Sequence, residues 1–216
     1  MGNLPAGVEL RSGNVEMQVP EDAKAEAPAS LRATMVPQIG VSALPPLSSP
    51  LQLVRDVLLW THSLPIDHAE TAARRLLERV GLGEESGVLW KKPHQLSGGM
   101  AARACLAAAM ATSPAVLVLD EPSSSLDLLT RKAISLLLLA MNRDHGVGLV
   151  VLTHDMWLAA QVCSEVVVLD RGKVVESGAP RDLALSDPES YVGKLFKPIR
   201  SWTTESRLSY DDSPSP

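Results

Sequence analysis

The chain has 216 residues, 45% of them hydrophobic but only 3% aromatic, with 20 Lys and Arg against 25 Asp and Glu for a net charge of −5. That length is enough for one domain with a buried core, which Leu, Val and Ala must pack. The acidic balance argues against a broad nucleic-acid or anionic-membrane surface, and no apolar run approaches the ~20 residues that cross a bilayer.

Met1-Gly2-Asn3-Leu4-Pro5-Ala6 has neither the charged start and apolar centre of a secretory signal nor a Ser or Thr at position 6 for myristoylation, so any membrane association is expected through a protein partner. Val8-Glu9-Leu10 and Val15 to Val19 alternate around Ser12-Gly13-Asn14, a hairpin signal. Pro20 to Ser30 reads as a loop, Ala33-Thr34-Met35-Val36-Pro37-Gln38 as a short strand running into a Gln, and Ala43 to Pro50 as a Pro-rich loop. Asp67 is expected to cap a helix in a capping box with Glu70. Ala69, Ala73, Leu76, Leu77 and Val80 form its apolar face, Arg74, Arg75 and Glu78 its charged one, and Gly81 its end.

Leu96-Ser97-Gly98-Gly99-Met100 opens an Ala-rich helix that runs through Met110. A small polar residue and two glycines there leave free backbone N–H groups at a helix N-terminus, where an anion can sit. Ser113-Pro114 break the helix, and Ala115 to Leu119 is the short unalternating run of a buried parallel strand. It ends in Asp120-Glu121, two carboxylates at the edge where α/β sheets bind ligands. One can hold a hydrated Mg²⁺ while the next orients or deprotonates a water. Beyond Ser124-Ser125-Leu126-Asp127, the pattern gives a helix over Leu128 to Asn142, a strand over Gly148 to Leu152 ending at Thr153-His154, and a helix over Met156 to Val162. A hairpin follows, with Val166 to Leu169 and Val174 to Glu176 flanking Asp170-Arg171-Gly172-Lys173. Strands alternating with helices specify an α/β domain with a largely parallel sheet. Trp202 to Pro216 is polar and Ser/Pro-rich, the composition of a disordered tail. Cys105 and Cys163 lie in apolar segments without metal-ligand spacing and are expected to be buried free thiols in a reducing compartment.

In this order and spacing, the signature, the Asp-Glu strand end, the Ser-Ser-Leu-Asp turn and the later His resemble the ATP-binding subunits of ABC transporters. The likeness is nearest to the importer branch for peptides, nickel and similar solutes. It covers roughly Leu4 to Leu195 and is most specific between His94 and His154. It implies a P-loop NTPase-like α/β domain over residues 1–200, with a mostly parallel sheet, a helical subdomain at about 42–112, an N-terminal antiparallel β remnant, and the tail at 201–216. The cofactors implied are ATP and Mg²⁺. By the resemblance Asp120 is the Mg²⁺ carboxylate, Glu121 the general base and His154 the residue that reaches the γ-phosphate and holds Glu121 and the water in line. Gln38 is the candidate for the glutamine that reaches Mg²⁺ and the attacking water, the alternative being a solvated loop residue.

The same resemblance assigns Ser97, Gly98 and Gly99 to the nucleotide of a second ATP-binding subunit, in a homo- or heterodimer. Asp127 belongs to the nucleotide-binding set through its turn. The helix from Asp67 falls in the neighbourhood that meets membrane permease subunits, which places the chain at the cytoplasmic face of the membrane with no nucleic-acid partner. Two departures stand out. Ala101 and Ala102 replace polar residues, commonly including a Gln, although Arg103 matches. No G-x-x-x-x-G-K-[ST] is present either: Gly172-Lys173 and Gly193-Lys194 lack both the following Ser/Thr and the first Gly. The implied expectation is a chain that begins just after the phosphate loop and is inactive alone. It would then be a shortened importer subunit, a non-hydrolysing partner that completes a neighbour's site, or a gene remnant. Chromosome-maintenance ATPases share such a signature but carry long coiled coils, and no sustained heptads occur here.

Overall fold

A computed structural model describes residues 8–11, 14–17, 33–37, 41–124 and 126–200. The chain folds as two compact units, residues 3–154 and the segment from 155 onward.

In the first unit, β1 (Val8–Arg11) and β2 (Asn14–Met17) pair antiparallel, as the hairpin pattern predicts. The sheet that matters for function is three-stranded and wholly parallel, in the order β3 (Ala33–Val36), β4 (Val116–Asp120), β5 (Gly148–Leu152). Its register places Met35, Val118 and Val150 side by side, and Thr34, Leu117 and Leu149 on the opposite face. Leu117 and Leu119 are fully buried, whereas Met35 is 60% and Val150 40% exposed. One face of this sheet therefore carries the core and the other is open.

The core-side cover includes α3 (Gly98–Met110), whose Ala101, Ala102, Ala104 and Ala107 are fully buried. Small side chains let a helix approach a sheet closely, which suits a core packed by aliphatic side chains. α4 (Leu128–His145) runs three residues beyond the expected Asn142, ending where Gly146 takes φ 64° and donates its N–H to the Asn142 carbonyl at 2.9 Å.

Two helices precede α3. The sequence reading assigns no element to Leu51–His62, yet α1 spans Pro50–His62. Its start is a complete capping box: the Ser49 hydroxyl accepts from the Gln52 N–H at 3.3 Å, and the Gln52 side chain accepts from the Ser49 N–H at 3.0 Å. α2 (Ile66–Arg79) corrects the cap expected at Asp67. The helix already starts at Ile66, after Pro65 and with no side-chain cap, so Asp67 lies in its first turn. Glu70 reaches forward to Arg74 at 2.7 Å instead of back to a cap. The apolar face is as expected, with Ala69, Ala73 and Leu77 fully buried. Arg103 donates from α3 to the Val80 carbonyl at 2.8 Å, satisfying the end of α2.

The second unit contains α5 (Met156–Val162), the antiparallel pair β6 (Val166–Asp170) and β7 (Lys173–Gly178), α6 (Pro180–Leu183) and α7 (Tyr191–Phe196). Phe196, Leu183, Ala184, Val168, Val192 and Ile199 form its core. Both Gly-Lys pairs have structural jobs here. Gly172 at φ 76° follows Arg171 at φ 47° in the hairpin turn, the two positive angles that a tight hairpin demands. Gly193 lies so close to the Asp187 backbone carbonyl that a Cβ would collide with it. Gly193→Ala should cost about 2 kcal/mol or more, read as a lower urea midpoint at unchanged slope.

Cys105 and Cys163 are both free, but only Cys105 is buried. Cys163 is partly covered, which corrects the expectation of two buried thiols, and that desolvation pushes its thiol pKa up. Among the described residues no helix is long and apolar enough to cross a membrane. The calls on Gln38, on the loop from Pro20 to Ser30 and on the tail from Ser201 fall outside the described residues.

Candidate functional site

Parallel pairing brings the ends of β4 and β5 level, with Asp120 opposite Leu152. The residues that follow each strand, Glu121 and Thr153-His154, must therefore emerge at one sheet edge. Glu121 turns the chain there in the left-handed region at φ 47°, an angle uncommon for a non-glycine residue. Its N–H is held by the Leu152 carbonyl at 2.8 Å, so the turn is tied to β5 as well as β4. The Glu121 carboxylate is then gripped on both oxygens. Thr153 Oγ1 donates to Oε2 at 3.3 Å, and the His154 backbone N–H donates to Oε1 at 3.2 Å. His154 Nδ1 lies 2.7 Å from the same Oε1. An ionised carboxylate only accepts, so in this contact Nδ1 carries the proton. The Glu121 side chain is 28% exposed and that of His154 81% exposed, a fixed carboxylate beneath an accessible ring.

A second cluster forms where α3 begins. Ser97 is the N-cap of α3, its hydroxyl accepting from the Met100 N–H at 3.2 Å and its carbonyl from the Ala101 N–H at 2.9 Å. Gly98 and Gly99 occupy the first turn, the positions whose N–H groups have no partner within a helix. Gly98 is exposed, and a Cβ there would meet only Leu126 at an ordinary 3.6 Å. Gly99 is different: a Cβ would come within 2.5 Å of the Thr130 methyl carbon on α4. Packing against α4 thus demands glycine at 99 but not at 98.

Asp127 joins this cluster as the N-cap of α4. It accepts from the Thr130 N–H at 3.0 Å and the Thr130 hydroxyl at 2.7 Å, and these two bonds lower its pKa. A carboxyl depressed in the folded state contributes above its unfolded pKa of about 3.9, and that contribution fades as pH falls through the folded value. The stability gap between wild type and Asp127→Ala should accordingly be present at neutral pH and narrow in acid, which urea titrations across that range would show. The sequence reading missed Thr130 and Thr153 as partners. An Asp three residues before a Thr ahead of an apolar run was the available signal for the first; the second needed the strand register.

These two clusters carry every candidate site residue in the described part of the chain: Asp120, Glu121 and His154 in one, Ser97, Gly98, Gly99 and Asp127 in the other. A family model described as "ABC transporter" matches residues 7–124, more than half of the chain. The chain belongs to the ABC transporter family. The methionine import ATP-binding protein MetN of Caulobacter vibrioides is 46% identical over 130 residues, 59% of this chain and 38% of that protein. The oligopeptide transport ATP-binding protein OppD of Lactococcus lactis subsp. cremoris is 31% identical over 172 residues, 78% of this chain and 51% of its own length. The chain thus spans about half or less of these relatives. Among solved structures, the dimeric ATP-binding cassette MJ0796 bound to ADP and Pi superposes with a TM-score of 0.61 at 26% identity, covering 79% of this chain and 72% of that one. The α/β architecture with its parallel sheet is that of ABC ATPase cassettes.

Proposed function

We propose that the chain is an ATP-binding subunit of an ABC importer for peptides, nickel or similar solutes. It would act at the cytoplasmic face of a membrane with permease subunits and a second ATP-binding subunit. The observation that carries this reading is the Glu121 carboxylate held by Thr153 and His154 at the sheet edge where β4 and β5 end. A base fixed on both oxygens is oriented before substrate arrives, as in-line attack of water on a phosphoryl group requires. With Nδ1–H committed to Glu121, His154 can donate from Nε2 to a γ-phosphate only as imidazolium.

Asp120 fits a Mg²⁺ role of the kind that uses one carboxylate and takes its other ligands from phosphates and water. Among the described residues no cluster of three or more His, Cys, Asp or Glu could cage a metal by itself, so the nucleotide must complete the shell. Bound there, Mg²⁺ would neutralise charge on the β- and γ-phosphates. Gln38 is proposed as a further contact to it.

The 216 residues carry no G-x-x-x-x-G-K-[ST]. The first turn of α3 favours a second reading, in which the chain completes a neighbour's nucleotide site through Ser97, Gly98 and Gly99 and does not itself hydrolyse. Equilibrium binding of labelled Mg-ATP to the 216-residue chain tests the premise both share. Saturation is not expected at micromolar nucleotide; micromolar affinity would mean that another phosphate site exists in the chain.

A further inference from the structure

The first turn of α3 is exposed at Ser97 and Gly98, and where its N–H groups point depends on how the backbone of residues 97–99 is held. Farther along, α3 is fixed by its own buried alanines, Ala101, Ala102 and Ala104. Its first turn is held by the start of α4 instead. Leu126, itself buried, comes up against Gly98, where a Cβ would meet its Cδ2 at 3.6 Å. Thr130, half-buried next to exposed Leu129, lies over Gly99: a Cβ there would stand 2.5 Å from Thr130 Cγ2, 3.4 Å from its Oγ1 and 3.6 Å from its Cβ. The Thr130 side chain therefore packs directly on the Gly99 backbone.

That side chain is also tied down. Its hydroxyl donates to Asp127 Oδ2 at 2.7 Å, while its backbone N–H donates to Oδ1 of the same carboxylate at 3.0 Å. A β-branched chain in a helix is already stiff at χ1, and the bond to Asp127 fixes which branch faces Gly99. Packing alone does not call for this pair. An Ala at 99 facing a Ser at 130 would fill similar space and favour α3, because Ala is a better helix former than Gly. Gly99 and Thr130 instead set the backbone of one helix start against a side chain of the other, so the turn that ends at Asp127 determines where the first turn of α3 lies.

We propose that Thr130 is a positioning residue for the nucleotide of a second ATP-binding subunit. Its methyl is the stop against which Gly99 lies, and so it sets where the N–H groups of Gly98 and Gly99 meet the phosphates. Thr130 acts through Gly99 and touches no nucleotide itself. The proposal rests on the reading in which this chain completes a neighbour's site.

The test is steady-state ATPase assay, with ATP varied, of the pair formed with an intact homologous subunit by wild-type, Thr130→Ser, Thr130→Val and Gly98→Asp chains. Thr130→Ser keeps the bond to Asp127 and removes the methyl, so the first turn loses its stop. KM for ATP should rise about tenfold or more while kcat changes less than about twofold. A merely destabilised chain gives the other pattern, because a smaller folded fraction lowers kcat and leaves KM alone. Thr130→Val keeps both branches of the side chain and loses only the bond, so it should restore the wild-type KM even where its urea midpoint is lower. An unchanged KM in Thr130→Ser, beside a Gly98→Asp chain that abolishes turnover, would overturn the role of Thr130 and leave the shared site standing. So would a Thr130→Val chain with the same raised KM as Thr130→Ser, since the methyl would then not be what positions Gly99. Turnover indifferent to Gly98→Asp would overturn the shared site itself, and this proposal with it.

Discussion

Gly98→Asp should abolish ATP turnover by a pair formed between this chain and an intact homologous ATP-binding subunit, while, on the reading in which this chain only completes a neighbour's site, Glu121→Gln should leave that turnover nearly unchanged. Such a pair has two unequal nucleotide sites. In one, the partner supplies phosphate loop, Mg²⁺ carboxylate and base, and this chain supplies the first turn of α3. In the other, on the same reading, this chain supplies no phosphate loop. On that reading only the first turns over, and Glu121 serves a silent site. An Asp at 98 places a carboxylate against the phosphates and removes nothing from the fold, because a Cβ there meets only Leu126 at 3.6 Å. A negative charge in the first turn of α3 even favours the helix. Stability and activity should therefore move in opposite directions: an unchanged or slightly raised melting temperature beside a turnover loss of a hundredfold or more. Steady-state ATPase assay of the reconstituted pair decides it. If Glu121→Gln stops turnover and Gly98→Asp does not, the asymmetric arrangement is wrong.

The same two residues show how far sequence patterns reach. β4, β5 and α5 were legible almost to the residue, since short apolar runs punctuated by Ser-Pro, Gly and Thr-His leave little freedom in where a buried strand starts and stops. That register alone puts Glu121 and His154 at one edge. What it could not supply was the left-handed turn at Glu121 or the grip of Thr153, both of which depend on how β4 and β5 meet in space. α1 was hidden in the sequence: apolar residues almost all around its circumference blur the 3.6-residue period, and the preceding proline run masks the Ser49-Gln52 cap. At α2 the error had the opposite cause, a good capping pattern at Asp67 and Glu70 overridden because Pro65 already sets the helical start. Gly99 looked like phosphate chemistry alone, yet its contact with Thr130 gives it a packing reason too.

The largest stability effect is expected on the closed face of the parallel sheet. Leu117 is fully buried on the central strand β4, beside Leu119, on the face away from Met35 and Val150. Truncating a buried Leu to Ala removes its transfer free energy and leaves a cavity, about 3–5 kcal/mol together. Against a typical total of roughly 5–15 kcal/mol, that is enough to bring the chain close to unfolding at room temperature. Val150 provides the internal comparison. It is on the neighbouring strand with the same β-branched, aliphatic chemistry as the core, but it is 40% exposed, and Val150→Ala should cost less than about 1 kcal/mol. Urea unfolding of the two variants measures the ratio directly. A large ratio follows only if odd-numbered β4 residues point into the core and even-numbered β5 residues away from it, because a one-residue slip would exchange the faces. Equal costs for Leu117→Ala and Val150→Ala would mean that the register is different, and with it the alignment of strand ends that brings Glu121 to His154.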